Sequence, residues 1–141
     1  MTVASRAETS ANDHAHTHAL NRFAVIPVAE RLGAETTLAG RGVTIAFLDS
    51  GFYPHPDLIS PQNRILAYHD VTNPGAWLDA ALPPESWAWH GTQTSVTAAG
   101  NGFLAEGIYR GLASEAAVVL VKVSDRGRIT DENIVRGLDW V

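Results

Sequence analysis

Cysteine is absent from this 141-residue chain, which excludes disulfide staples and thiolate metal sites but does not separate a reducing compartment from an oxidising one. No stretch approaches the ~18 continuous apolar residues of a membrane-spanning helix. The first 20 residues hold no apolar core of the kind a secretory signal carries. Basic residues are also few: 10 Lys and Arg stand against 15 Asp and Glu, for a formal net charge of −5. With no Lys/Arg run to track phosphates or anionic lipid, neither nucleic acid nor a membrane is expected as a partner. Localisation stays open.

What is present suffices for one globular unit. Apolar residues make up 45% of the chain, and a domain of this size buries roughly 70% of its unfolded surface. Residues 1–20 are small, polar and without period, and are expected to form a disordered, solvated tail. Residues 21–141 form the expected domain. Its first part reads as a packed lead-in, with Val28, Leu32 and Leu38 on short helical pieces broken at Pro27 and Gly33.

Beyond Gly40-Arg41-Gly42, residues 43–48 are a continuous β-type apolar run, as in a parallel strand buried on both faces. Asp49-Ser50-Gly51 closes it. Residues 52–64 contain three prolines and read as a surface loop, residues 65–68 as a short strand, and residues 73–87 as another loop. A short helix is predicted from about His90 to Ala99, stopped by Gly100 and Gly102. Residues 116–123 form a second strand, and residues 131–141 a helix with Thr130 as cap and Ile134, Val135, Leu138 and Val141 on one face. Strands alternating with helices predict an α/β fold with a mostly parallel sheet. Ending inside a helix, the chain reads as truncated.

Two residues stand out chemically. Asp49 follows directly on a buried strand, where the ligands and catalytic groups of open α/β sheets gather beyond the strands' carboxyl ends; Asp-Ser-Gly is also an ordinary turn sequence. His90 opens a helix, and Gly91 after it lets backbone approach closely. A helix N-terminus disfavours an imidazolium and is expected to help hold the ring in the neutral form a general base needs; an interior or capping histidine is the plainer alternative. The tail trio His14, His16 and His18 could face one way in an extended segment, but the composition favours a solvated tail over a metal site. Trp77, Trp87, Trp89 and Trp140 suit packing better than a binding platform. Gly100-Asn101-Gly102 and Gly107 follow a helix, whereas a dinucleotide fingerprint follows a strand and opens a helix, so nucleotide binding is set aside.

The segments GRGVTIAFLDSG, HPDL, HGT, GNG, GIYRGLASEAAVVLVKV and NIVRGLDWV, in that order from about Val25 to Val141, resemble the subtilase family of subtilisin-like serine proteases (peptidase family S8). The resemblance implies a three-layer subtilisin-like α/β fold with only its N-terminal half present. It also implies a catalytic triad in the chain order Asp, His, Ser. Asp49 and His90 match the first two members. Implied partners are a peptide or protein substrate and the missing C-terminal half of the same domain. No cofactor is required for the chemistry, while the family allows a structural calcium ion in the full-length protein.

The resemblance also shows what is lacking. The Gly-Thr-Ser-type turn with the nucleophile lies much farther past the histidine than the 51 residues remaining here. Ser50, Ser95, Ser114 and Ser124 do not replace it, and the oxyanion Asn is missing too. The chain alone is therefore expected to be inert as a protease. Gln93 stands where many subtilases have a second His, and Ser114 where a Pro is common; neither position performs the chemistry. Asp57 of HPDL matches a calcium ligand of some members, but without an evident set of six to eight oxygens it reads as a solvated loop carboxylate. The alternative function is a non-catalytic binding protein on a truncated subtilase-like scaffold, pairing its sheet edge with a partner strand. The same uncovered edges predict aggregation or poor folding of the isolated chain.

Overall fold

A computed structural model of the chain describes residues 25–35 and 37–141. The expected tail and its histidine trio lie outside the described residues. The elements run α1 (Val28–Leu32), β1 (Thr44–Asp49), α2 (Pro56–Ile59), β2 (Ile65–Asp70), α3 (Ala88–Ala99), a 3-10 turn (Phe103–Ala105), β3 (Ala117–Lys122), β4 (Ser124–Asp125), β5 (Arg128–Ile129) and α4 (Asp131–Trp140). β1, β3 and β2 form a parallel sheet in that spatial order, while β4 and β5 pair as a small antiparallel hairpin.

The central strand β3 shows why the fold has layers. Side chains alternate across a strand. Val118 and Leu120 turn to one face, where they meet Phe52, Leu58 and Ala99, with Phe47, Tyr68 and Val96 packed around them. Val121 and Val123 turn to the other face with Val71 and Leu48. There α4 docks so closely that a Cβ on Gly137 would lie 2.7 Å from Val123 and 3.2 Å from Leu48. Helices thus cover both sides of a three-stranded parallel sheet. Each fully buried Val or Leu contributes about 1.5–3 kcal/mol relative to exposure.

Four expectations from the sequence need correction. Residues 52–64 are not simply a surface loop, because Phe52, Asp57 and Leu58 are buried. Pro56 sits at the start of α2, where its fixed φ is favourable, and the His55 ring accepts the Asp57 amide as a cap. The lead-in is not packed: α1 has no buried residue, and Leu32 and Leu38 are exposed. β1 is less buried than expected because, among the described residues, it borders only β3, whereas β3 has a neighbour on each side. Finally, the apolar face of α4 is turned outward, with Leu138 61% and Val141 64% exposed. The helix docks instead through Asn133 and Gly137, where absence of a side chain permits contact. Thr130 does cap it, accepting the Asn133 amide at 3.3 Å.

Candidate functional site

Parallel pairing places the ends of β1, β2 and β3 side by side, with Asp49, Asp70 and Lys122 in register. The Asp49 side chain is 13% exposed and is held by its neighbours. The Ser50 amide donates to Oδ1 at 2.6 Å and the Ser50 hydroxyl approaches the same oxygen at 3.2 Å. Thr94, one turn after His90 on α3, reaches Oδ2 at 3.3 Å while also lying 3.0 Å from the Gly91 carbonyl.

The remaining partner is His90. Its Nδ1 lies 2.9 Å from Oδ1 and 3.0 Å from Oδ2 of Asp49. A carboxylate only accepts, so Nδ1 carries the proton in this pair and Nε2 is left as the basic nitrogen. The imidazole is 53% exposed, so it is accessible to a reacting group. Trp89 stands edge-on to it, with ring centroids 5.3 Å apart and planes at 84°.

Gly91 brings the two together. A Cβ there would lie 2.2 Å from the Gly51 carbonyl oxygen and 2.9 Å from Asp49 Cβ. Only glycine lets the first turn of α3 rest on the end of β1.

None of the considered serines hydrogen-bonds to His90. Ser50 gives its hydroxyl to the Trp87 carbonyl at 2.7 Å. Ser95 is buried and donates to the Gly91 carbonyl at 2.7 Å, Ser124 is buried against the Ser50 carbonyl, and Ser114 is buried as well. The described residues therefore hold an acid–base pair with an open basic nitrogen. They do not present a nucleophile.

Asp57 departs from its expected solvated state. It is 7% exposed, its Oδ1 accepts the Leu104 amide at 3.0 Å, and His55 Nδ1 lies 3.9 Å away. An amide donor and an imidazole are the opposite of a calcium ion's oxygen cage, and no group of three or more His, Cys, Asp or Glu suited to a metal occurs among the described residues. The arrangement does not fit calcium. The tryptophans also divide. Trp140 stacks on His69 with centroids 4.6 Å apart and Trp87 is half-buried, but Trp77 and Trp89 are exposed rather than packed.

Two polar groups escaped the sequence reading. Arg64 precedes β2 and spans three carbonyls, those of Ala116, Asp57 and Ala99, each at 2.7 Å. Burial lowers its pKa from the ordinary value, partly countered by the Asp57 charge. Lys122 forms a buried ion pair with Asp70 at 2.9 Å. Burial works to raise the Asp70 carboxyl, but hydrogen bonds from Lys122 and Thr72 and the charge of the ammonium outweigh it and hold the carboxyl below its usual range. Nearby Tyr68 is pushed far up, by burial first and then by the charges of Asp70 and Glu85. The visible signal was a lysine inside an apolar strand.

Comparison with known proteins agrees with this architecture. Residues 40–141 match the Subtilase family. Serine protease AprX of Bacillus subtilis (strain 168) is 38% identical over 105 residues, covering 74% of this chain and 22% of the relative, so the chain spans about a fifth of that protein's length. The structure of the Clostridium perfringens CspB protease superposes with a TM-score of 0.63 at 22% identity, covering 85% of this chain and 28% of that one, a likeness of fold. With 102 consecutive residues matched to the family, from the glycine before β1 to the end of α4, the chain belongs to the subtilase family of subtilisin-like serine proteases.

Proposed function

We propose that this chain supplies the orienting acid and the general base of a serine endopeptidase acting on peptide or protein substrates. The observation that carries the reading is the 2.9 Å approach of His90 Nδ1 to Asp49. In this reading His90 Nε2 takes the proton of a serine hydroxyl as the oxygen attacks a peptide carbonyl. It then returns that proton to the leaving amine. Asp49 fixes the ring tautomer and stabilises the imidazolium formed between the two transfers, while Ser50 and Thr94 orient the carboxylate. The nucleophile and the oxyanion donors come from outside these 141 residues.

The test begins with the coding sequence beyond Val141. A downstream Gly-Thr-Ser turn, with peptide hydrolysis by the whole protein that His90→Ala abolishes, is the expected result. A stop codon directly after Val141, or hydrolysis indifferent to His90→Ala, overturns the proposal. One observation favours the second reading, a non-catalytic binding scaffold: β1 pairs only with β3, leaving its other edge open among the described residues. That reading requires a cooperative thermal transition and partner binding by the 141-residue chain without hydrolysis.

A further inference from the structure

We propose that Lys122 is a positioning residue for the Asp49–His90 pair, acting through an ionic latch of Asp70, Lys122 and Glu85 that fixes the segment leading into α3. The inference rests on reading that pair as half of a catalytic site. Lys122 ends β3 in register with Asp49 on one side and Asp70 on the other. Its ammonium lies 2.9 Å from Asp70 Oδ2 and 3.5 Å from Glu85 Oε2. The Lys122 and Asp70 side chains are only 9% and 4% exposed. Apolar residues of similar volume would serve the sheet as well as a buried ion pair, because removing two charges from water offsets their attraction. What the pair adds is a fixed cation at the end of the central strand.

Glu85 connects that cation to α3. Its Oε2 accepts the Trp87 indole N–H at 2.7 Å, and its carbonyl accepts the amide of Ala88, the first residue of α3, at 2.9 Å. Trp87, at the helix N-cap, makes no side-chain capping bond, so this turn does the work usually given to Ser, Thr or Asp. The Trp87 carbonyl then accepts the Ser50 hydroxyl at 2.7 Å, one residue from Asp49. His90 is the third residue of the helix held in this way. Glu85 is half-exposed, so its contact with Lys122 adds little stability. Its effect is geometric: a misplacement of about 1 Å in a catalytic group costs about 100-fold in rate.

The Asp49-bonded Nδ1 proton of His90 is expected to give a downfield NMR resonance, which can be followed in the whole protein containing these residues beside its melting temperature. Glu85→Gln keeps an acceptor for the Trp87 indole but removes the charge facing Lys122. Loss of the resonance is expected, with the melting temperature changed by no more than about 4 °C. The double variant Lys122→Met with Asp70→Asn, which removes both buried charges and leaves neither unpaired, gives the same loss. A resonance retained in Glu85→Gln, or in the Lys122→Met with Asp70→Asn double variant, overturns the latch. A wild-type chain without the resonance overturns the reading of the Asp49–His90 pair, and the latch with it.

Discussion

Gly91 meets the carbonyl of Gly51 so closely that α3 and the end of β1 have no room for a single added carbon, whose ideal position lies 2.2 Å from that oxygen. Gly91→Ala is therefore expected to force α3 away from β1. Overpacking of this kind costs about 1–3 kcal/mol, or a fall in melting temperature of roughly 3–10 °C in a domain of this size. The comparison is Gly75→Ala, where the nearest atom to the added carbon is 4.0 Å away and the change should stay within about 0.5 kcal/mol. Equal melting temperatures for the two variants would show that the close approach is not a constraint.

Asp49 holds Nδ1 of His90 in its protonated form. Asp49→Asn replaces one acceptor oxygen with an N–H donor of similar shape, which favours the opposite tautomer, with the proton on Nε2. Nitrogen-15 NMR of the His90 ring distinguishes the two. In an active enzyme containing these residues, the same substitution is expected to lower kcat by roughly 10⁴-fold, the loss found when a triad histidine is held in the wrong tautomer. A ring that keeps the Nδ1–H tautomer in Asp49→Asn would sink this account.

The residues around this pair were legible in the sequence to different degrees, for physical reasons. β3 was the most legible, because a strand covered on both faces needs an unbroken apolar run and residues 116–121 supply one. Asp49 and His90 each looked like ordinary turn or capping residues until their order along the chain was considered. Asp57 was misread because its partner, the Leu104 amide, lies 47 positions away and no local pattern marks it. The face of α4 was misread for a different reason. Periodicity finds the apolar stripe formed by Ile134, Val135 and Leu138, but the helix docks on a missing side chain, Gly137.

Arg64 closes a stretch that reads as loop in the sequence, yet its guanidinium ties the first turn of α2, the end of α3 and the residue before β3 together through three carbonyls. Arg64→Lys should fail to replace it. A lysine keeps the charge, but a compact ammonium cannot span the planar fork that reaches three separated oxygens. With one or two carbonyls left unpaired at about 1–3 kcal/mol each, a loss of at least about 1 kcal/mol is expected in urea denaturation. Wild-type stability in Arg64→Lys would show that charge alone matters at this position.

Asp70 should govern part of the chain's acid sensitivity. Its folded-state pKa lies below the ordinary value of 3.8, because the hydrogen bonds and charge of Lys122 and Thr72 outweigh the cost of burial. A carboxyl depressed on folding binds protons more readily when unfolded, so folding stability rises with pH across the interval between the two values. The contribution is complete above 3.8 and is lost as pH falls through the lower folded-state value. Asp70→Asn removes this titration. It also leaves the Lys122 ammonium without its buried partner, so the variant starts less stable at neutral pH. The stability gap between wild type and Asp70→Asn should then narrow as pH drops below about 4. Denaturant titrations at a series of pH values measure that gap. If it stays constant from neutral pH down to about pH 2, Asp70 is not held ionised by Lys122 in the folded chain.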